Sequence, residues 1–311
     1  LVRPLWSLKN IGVMFDFLRS KRKVKAIIQD FQPQVAVGVG GYASAPTLNA
    51  AYSMGIPCLI QEQNSYAGVT NRSLAKKAQK ICVAYSGMER FFPADKIIMT
   101  GNPVRQNLLE NQTSQEEARQ SFGLEPDKKT VLIVGGSLGA RTVNESVLAH
   151  LDDIRKSNVQ FIWQTGKYYS QSISEALEKS EAVPNLKVMD FIGCMDYAYA
   201  AADLVVSRAG ASSISELCLL GKPCVLVPSP NVAEDHQTQN ALALSSKDAA
   251  IFVADKEAKE KLVQTALETV TNDERLLSLS ENVKKLAFLN SSDIIAEEVY
   301  KLAVEYKKRN N

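Results

Sequence analysis

The stretch Leu204-Val205-Val206-Ser207-Arg208-Ala209-Gly210-Ala211-Ser212-Ser213-Ile214-Ser215-Glu216 runs from an apolar segment through small residues into a helical pattern. It reads as strand, turn and helix start, the repeating unit of a parallel α/β sheet. Small residues through Ser213 let backbone amides come close to a ligand, and Glu216 falls inside a helix whose positive end faces that ligand. A carboxylate at that place suits a ribose diol. A second reading is purely structural: Gly210 turns the chain, Ser212 or Ser213 caps the helix, and Glu216 completes a capping box if Ser213 is the cap.

The same alternation extends in both directions. Residues 35–39, 57–60, 80–84 and 97–99 form a first set of short, largely apolar strands. Residues 131–134, 160–163, 186–189, 204–206, 224–227 and 250–253 form a second. A polar, proline-containing connector over residues 110–129 separates the sets and marks a domain boundary. The expected division is 1–112 for an N-terminal domain and 113–291 for a C-terminal one. Residues 292–311 are expected to form a helix packing back toward the first, with Ile294, Ile295, Val299, Leu302 and Ala303 at near-helical spacing. The fold class is therefore α/β, with two Rossmann-like doubly wound domains, a cleft between them, and ligands beyond the carboxyl ends of the strands.

Composition narrows the function. A chain of 311 residues with 45% hydrophobic content can bury substantial cores. Its five cysteines form no CxxC pair and sit mostly in apolar runs, which reads as reduced core thiols of a cytosolic protein. Only two histidines, His150 and His236, are present, so a histidine-based metal centre has few ligands and no metal is expected. No apolar run approaches the roughly 20 residues that span a bilayer, and no signal-peptide pattern opens the chain. A formal net charge of +2 does not call for nucleic acid. The first 25 residues are different: Arg3, Lys9, Arg19, Lys21, Arg22, Lys23 and Lys25 face only Asp16, among Leu5, Trp6, Leu8, Ile11, Phe15, Phe17 and Leu18. That is either a basic, partly amphipathic helix for an anionic membrane surface or a surface helix packed on its own domain.

Several motifs sit at the carboxyl ends of expected strands. Residues 131–134 run into Gly135-Gly136-Ser137-Leu138-Gly139-Ala140-Arg141, with a helix from about Val143. Such a loop offers amide N–H groups, and the Ser137 hydroxyl, to a phosphate. A dinucleotide fingerprint fails, because its three glycine places hold Gly135, Ser137 and Ala140, and the next strand ends Gln164-Thr165-Gly166 rather than in an acid. A Walker loop fails as well, since no Gly-Lys-Ser/Thr follows. Phosphate binding of another kind and a simple tight turn both remain open. Gly38-Val39-Gly40-Gly41-Tyr42-Ala43-Ser44-Ala45-Pro46 ends an earlier strand in the same manner, as a second phosphate or acceptor loop or as a structural turn. Gln61-Glu62-Gln63-Asn64 and Gly101-Asn102-Pro103-Val104-Arg105 place amides and a guanidinium after two further strands. Amides suit sugar hydroxyls and an arginine suits a phosphate, although Arg105 equally suits a surface ion pair. In Asp235-His236-Gln237-Thr238-Gln239-Asn240, His236 and Gln237 are candidate sugar ligands. His236 is either a general base or a hydrogen-bonded structural group.

Taken in order, Gly40–Ser44, Glu62–Asn64, Gly101–Arg105, Gly135–Ala140, Arg208–Ala211 with Glu216, and His236-Gln237 with Asn240 resemble the motifs of the MurG family over nearly the whole chain. The resemblance implies an inverting GT-B glycosyltransferase of peptidoglycan biosynthesis. It would move N-acetylglucosamine from UDP-GlcNAc to the muramoyl 4-hydroxyl of lipid I, giving lipid II, without metal or cofactor. Carried over by position, Glu216 would hold the ribose, Ile192 the uracil, Ser137 the donor phosphate, and Asn64 and Gln237 the sugar, with His236 beside it. Arg105 would lie near the nucleotide, and Ala211, Ser212, Ser213, Ile214 and Ser215 would supply backbone contacts. Gly40, Gly41, Tyr42 and Ser44 would serve the acceptor side. The family's Gly-Gly-Thr-Gly-Gly-His loop, with its general-base histidine, has no counterpart in these residues and is expected upstream of Leu1. The chain as given is then expected to bind donor yet turn over slowly. The resemblance places the enzyme peripherally on the cytoplasmic face of the bacterial inner membrane, on an anionic surface, with other cell-wall synthesis proteins as partners. The competing readings are a donor-binding fragment or another GT-B nucleotide-sugar enzyme.

Overall fold

The computed structural model describes residues 9–105 and 107–310. Arg3, Leu5, Trp6 and Leu8 of the basic segment lie outside the described residues, as do the side chains of Lys9, Ile11, Phe17 and Leu18. The chain divides into two units, Leu1–Asn102 with Asn290–Asn311, and Pro103–Leu289.

In the first unit, β1 (Ala36–Gly38), β2 (Cys58–Glu62), β3 (Lys80–Val83) and β4 (Ile97–Met99) form a parallel sheet in the order of the chain. Parallel neighbours need crossovers. α2 (Gly41–Ser53) joins β1 to β2, and α3 (Val69–Leu74) joins β2 to β3. Side chains of adjacent strand residues point to opposite faces, so each strand feeds two cores. Cys58 and Ile60 pack with Ile28, Leu48 and Ala51, whereas Leu59 and Cys82 pack with Leu302, Ile295 and Val299 of the C-terminal helix Ser291–Asn310. α1 (Lys9–Phe31) lies against α2 and contributes Val24 and Ile28 to the first of these cores.

The second unit runs α4 (Asn107–Glu110), α5 (Gln115–Ser121), β5 (Thr130–Val134), α6 (Arg141–Ala149), α7 (Leu151–Lys156), β6 (Gln160–Gln164), α8 (Ser170–Glu178) and β7 (Leu186–Met189). It continues with α9 (Met195–Ala201), β8 (Leu204–Ser207), α10 (Ala211–Leu220), β9 (Cys224–Leu226), α11 (His236–Ser245), β10 (Ile251–Phe252), α12 (Asp255–Val270) and α13 (Asp273–Lys284). The strands pair in parallel in the order β10-β9-β8-β5-β6-β7. β5 and β6 are buried along their whole length, as strands covered by helices on both faces must be. Phe161 and Trp163 of β6 are fully enclosed among Val131, Ile133, Val143 and Val147.

The polar connector expected over residues 110–129 is instead structured and belongs to the second unit. A capping box between Ser114 and Glu117 starts α5. From that helix the buried Arg119 donates to the Ala201 carbonyl oxygen at 3.1 Å and to the Asp203 carboxylate at 2.6 Å. Asp203 also accepts the Thr130 backbone N–H at 2.7 Å, so one ion pair fixes α5 to the start of β5 and β8. Its polarity, which reads as linker in sequence, is spent inside the domain. The helix expected from about Val143 starts two residues earlier, at Arg141, after a residue, Ala140, that makes no side-chain cap.

Lys222 sits at the same end of the sheet, donating to the Ala202 carbonyl oxygen at 2.9 Å. Burial pulls its pKa from the ordinary 10.5 down to about 8, against the opposing pull of Asp203. Between those two values the unfolded chain holds a proton that the folded chain does not, so stability rises with pH across that window. Lys222→Met is therefore expected to stabilise the protein at pH 7 by about 1–3 kcal/mol, with the gain fading toward pH 10. Urea unfolding at the two pH values checks this, and an equal gain at both would reject the buried-charge explanation.

Candidate functional site

The strand order reverses between β5 and β8: the chain leaves β5 for β6 and β7, then returns to lay β8 on the other side. Connections leaving two such neighbours diverge to opposite faces of the sheet, which opens a crevice at their carboxyl ends. A cavity of about 1070 Å³ occupies that place in the Pro103–Leu289 unit. Its lining includes Gly135, Gly136, Ser137 and Gly139 after β5, Phe191, Ile192 and Gly193 after β7, and Arg208, Gly210, Ser212, Ser213 and Glu216 after β8. Ser229, Asn231 and Gln237 line it from the segment after β9, and Pro103 and Arg105 complete it.

The loop after β5 is held by backbone packed on backbone. Gly139 has φ 82° and Gly166 φ 83°, and a Cβ on Gly139 would lie 2.1 Å from the Thr165 carbonyl oxygen. A Cβ on Gly166 would lie 2.1 Å from the Gly139 nitrogen. Only glycine fits such a contact, which brings the loop of one strand onto the end of the next. Gln164, buried at the end of β6, binds the arrangement further. Its amide donates to the Gly136 carbonyl oxygen at 3.0 Å and accepts the Ile192 backbone N–H at 2.9 Å. Below it, the Trp163 indole donates to Asn144 at 3.0 Å, and Asn144 donates to the Thr165 carbonyl oxygen at 2.8 Å. Sequence reasoning registered Gln164 only as not being an acid. Its polar type at a strand end beside a glycine loop was the available signal.

α6 and α10 begin at this cavity, and neither Ala140 nor Gly210 caps its helix with a side chain. The first-turn amides are thus left without intrahelical partners, with the positive helix ends directed at the void. This rules out the capping-box reading of Ser213 and Glu216. Glu216 lies well inside α10, and its carboxylate is engaged elsewhere: Oε1 accepts Nε and Nη2 of Arg105 at 3.1 and 3.0 Å, and Oε2 accepts the Tyr199 hydroxyl at 2.9 Å. Burial, followed by the Glu216 carboxylate, pushes the Tyr199 pKa well above the ordinary tyrosine value, so the hydroxyl stays a donor. Arg208 donates to the carbonyl oxygens of Val227 and Pro228 at 3.1 Å each and pairs with Asp255, which accepts Thr142 Oγ1 at 3.0 Å. One guanidinium therefore joins the β8 turn, the segment after β9 and the starts of α6 and α12.

Of the residues singled out in sequence, Arg105, Ser137, Ile192, Ser212, Ser213, Glu216 and Gln237 line the cavity. Ser137 is exposed to it, and Gln237 also accepts the Ser229 backbone N–H at 2.8 Å. Ala211, Ile214 and Ser215 do not line it: Ile214 is buried, and Ser215 Oγ donates back to the Ala211 carbonyl oxygen at 2.9 Å. His236 is also outside the lining, with Nε2 3.3 Å from a Glu234 carboxylate oxygen. Glu234 and Asp235 just before it adopt φ 55° and 53°, a conformation costly for residues with a side chain.

In the other unit, Gly40 and Gly41 lie at the start of α2 with φ 86° and 74°. Tyr42 is exposed, while Ser44 is buried and donates to the Gly40 carbonyl oxygen at 2.6 Å. Asn64 follows β2 in a loop organised by the buried Glu62. One Glu62 oxygen accepts the Asn64 backbone N–H at 3.2 Å and its Nδ2 at 3.3 Å, and the other accepts Gly68 N–H at 3.0 Å and Asn71 Nδ2 at 2.8 Å. Gln61 and Gln63 extend the web to Asn102 and Val39.

Comparison with known proteins agrees with this geometry. Residues 130–297 match the glycosyltransferase family 28 C-terminal domain, and residues 1–83 match the family 28 N-terminal domain. The chain is 63% identical over 97% of its length, and 79% of the relative's, to the UDP-N-acetylglucosamine--N-acetylmuramyl-(pentapeptide) pyrophosphoryl-undecaprenol N-acetylglucosamine transferase of Bacteroides fragilis. Among solved structures it is similar to the MurG of Acinetobacter baumannii, at 28% identity and a TM-score of 0.75 over 92% of this chain and 80% of that one. The UDP-GlcNAc 2-epimerase of Neisseria meningitidis, at 17% identity and a TM-score of 0.68 over 97% of this chain and 84% of that one, shares the fold. By these matches the chain belongs to glycosyltransferase family 28, among its MurG members, and has their α/β two-domain GT-B fold.

Proposed function

We propose that the cavity at the carboxyl ends of β5 and β8 is the UDP-GlcNAc site of an N-acetylglucosaminyltransferase that converts lipid I to lipid II in peptidoglycan biosynthesis. The observation that carries this reading is the meeting, at one crevice, of two uncapped helix starts with the buried Glu216 carboxylate, the other lining carboxylate, Asp255, being paired with Arg208. A nucleoside diphosphate needs that combination: donors for the phosphates and an acceptor for the ribose diol. The activity for which the relatives are named supports the substrate assignment. Glu216 takes the ribose, Ile192 lies against the uracil, and Ser137 with the amides at the start of α10 meets the diphosphate. Gln237 and Asn64 bind the N-acetylglucosamine, and Gly40, Gly41, Tyr42 and Ser44 serve the acceptor.

In the reaction the muramoyl 4-hydroxyl oxygen bonds to C1 of the sugar as the bond from C1 to the UDP oxygen breaks. Attack from the face opposite UDP inverts the centre. The hydroxyl proton passes to a general base, and the electron pair of the broken bond leaves on the diphosphate. Helix starts at that diphosphate stabilise charge that grows as the bond breaks, which is where electrostatic catalysis acts most strongly.

The acceptor carries a lipid, so the enzyme works at the cytoplasmic face of the bacterial inner membrane as a peripheral protein. Among the described residues no helix is long and apolar enough to cross a membrane. α1 offers the surface contact: Arg22 and Lys23 are exposed, as are Phe15, Ile27 and Phe31. Cations beside apolar side chains suit anionic headgroups over acyl chains.

Glu216→Ala is expected to weaken UDP-GlcNAc binding by about 1–3 kcal/mol in titration calorimetry, the usual cost of leaving polar partners unpaired. Unchanged affinity would remove the donor site from this cavity. Ser137→Ala should cost UDP about 0.5–1.5 kcal/mol and uridine nothing, because only the diphosphate meets the hydroxyl. Reversing Arg22 and Lys23 to glutamate should lower binding to phosphatidylglycerol vesicles about tenfold or more at low salt, with UDP affinity unaltered. Equal vesicle binding by the variant would exclude α1 as the membrane contact.

A further inference from the structure

Glu216 is surrounded asymmetrically. Its Oε2 is held by Tyr199, a residue only 3% exposed, at 2.9 Å. Its Oε1 is held by Arg105, whose side chain is 53% exposed against 12% for that of Glu216. Tyr199 is carried by α9 and packed in the domain, so its hydroxyl cannot withdraw without opening that packing. Arg105 reaches the carboxylate from outside any helix or strand and loses little by turning to water. The terminal torsion of a glutamate is soft, so a carboxylate with no fixed partner would sample many orientations. A hydrogen bond to one oxygen sets the plane of the group and thereby aims the other.

We propose that Tyr199 is the positioning residue of the nucleoside-binding carboxylate: its buried hydroxyl fixes one oxygen of Glu216 so that the other is presented to the ribose, with Arg105 as the partner the ligand displaces. The inference rests on the reading of this cavity as the donor site. It places the preorganisation of the ribose subsite on a residue that acts through the carboxylate, and such support governs how much binding a carboxylate yields.

Tyr199→Phe removes one oxygen atom and keeps the packed ring, and the test is titration calorimetry of the 311-residue chain with UDP and with 2′-deoxy-UDP. The expected result is a UDP affinity lowered about tenfold and a 2′-deoxy-UDP affinity lowered less than about twofold, since a ligand that cannot present the diol gains little from an aimed carboxylate. Equal losses for both ligands would mean a general structural role and overturn the inference, as would no loss for either. Glu216→Gln, measured beside it, separates the two levels. If it lowers UDP affinity while Tyr199→Phe does not, the donor site stands and the positioning role falls. If Glu216→Gln leaves UDP affinity unchanged, both fall together.

Discussion

All six strands of the larger sheet are parallel, and every feature of the candidate site follows from where their order reverses. Parallel strands must be joined by crossovers, and a sheet wound first one way and then the other has one pair of neighbours whose following loops part company. Here that pair is β5 and β8. The gap between their loops cannot be closed by the domain's own backbone, and the helices that follow, α6 and α10, begin at its rim with amides in need of acceptors. An anionic ligand is suited to supply them, as the proposed function requires. The glycines sharpen the effect: Gly139 against Thr165 and Gly166 brings the glycine loop down to van der Waals distance from the end of β6, so the rim is tightly packed at that place.

The strands were legible because each is a short, largely apolar run bounded by glycine, proline or polar residues, and all ten lie within about two residues of where the pattern puts them. Motifs at their carboxyl ends were legible for the same reason: a glycine loop after a strand can only lie at the sheet's ligand edge. Polar residues that look inward were not. The stretch over residues 110–129 reads as linker, yet Arg119 and Glu117 spend their polarity on an ion pair and a helix cap. The partner of Arg119 lies 84 positions away, and no local signal announces it. The same holds for Glu216, whose partner Arg105 is 111 positions distant, and for Gln164, whose two hydrogen bonds each span 28 positions. Residue type marked these side chains as notable, but only strand order could say what they touch.

Two buried glutamates show how surroundings, more than burial, decide whether a carboxylate is structural or available. Glu62 is 2% exposed and Glu216 9%; the first ends β2 and the second lies inside α10. Glu62 accepts four N–H groups, all from residues 64 to 71 of its own loop and the following helix, two on each oxygen. Breaking any of them would loosen the loop that carries Asn64, so this carboxylate is committed to shape. Glu216 has one partner that the domain fixes, Tyr199, and one exposed guanidinium that pairs with it. An ion pair so open to water is weak, on the order of 0–1 kcal/mol, whereas a carboxylate stripped of all partners in a buried place is costly. Arg105 thus prevents an unpaired charge at Glu216, and under the proposed function it yields because a ribose diol would satisfy the same oxygen. A buried binding carboxylate needs such a replaceable partner, and Glu62, enclosed by its own loop, has none to give up.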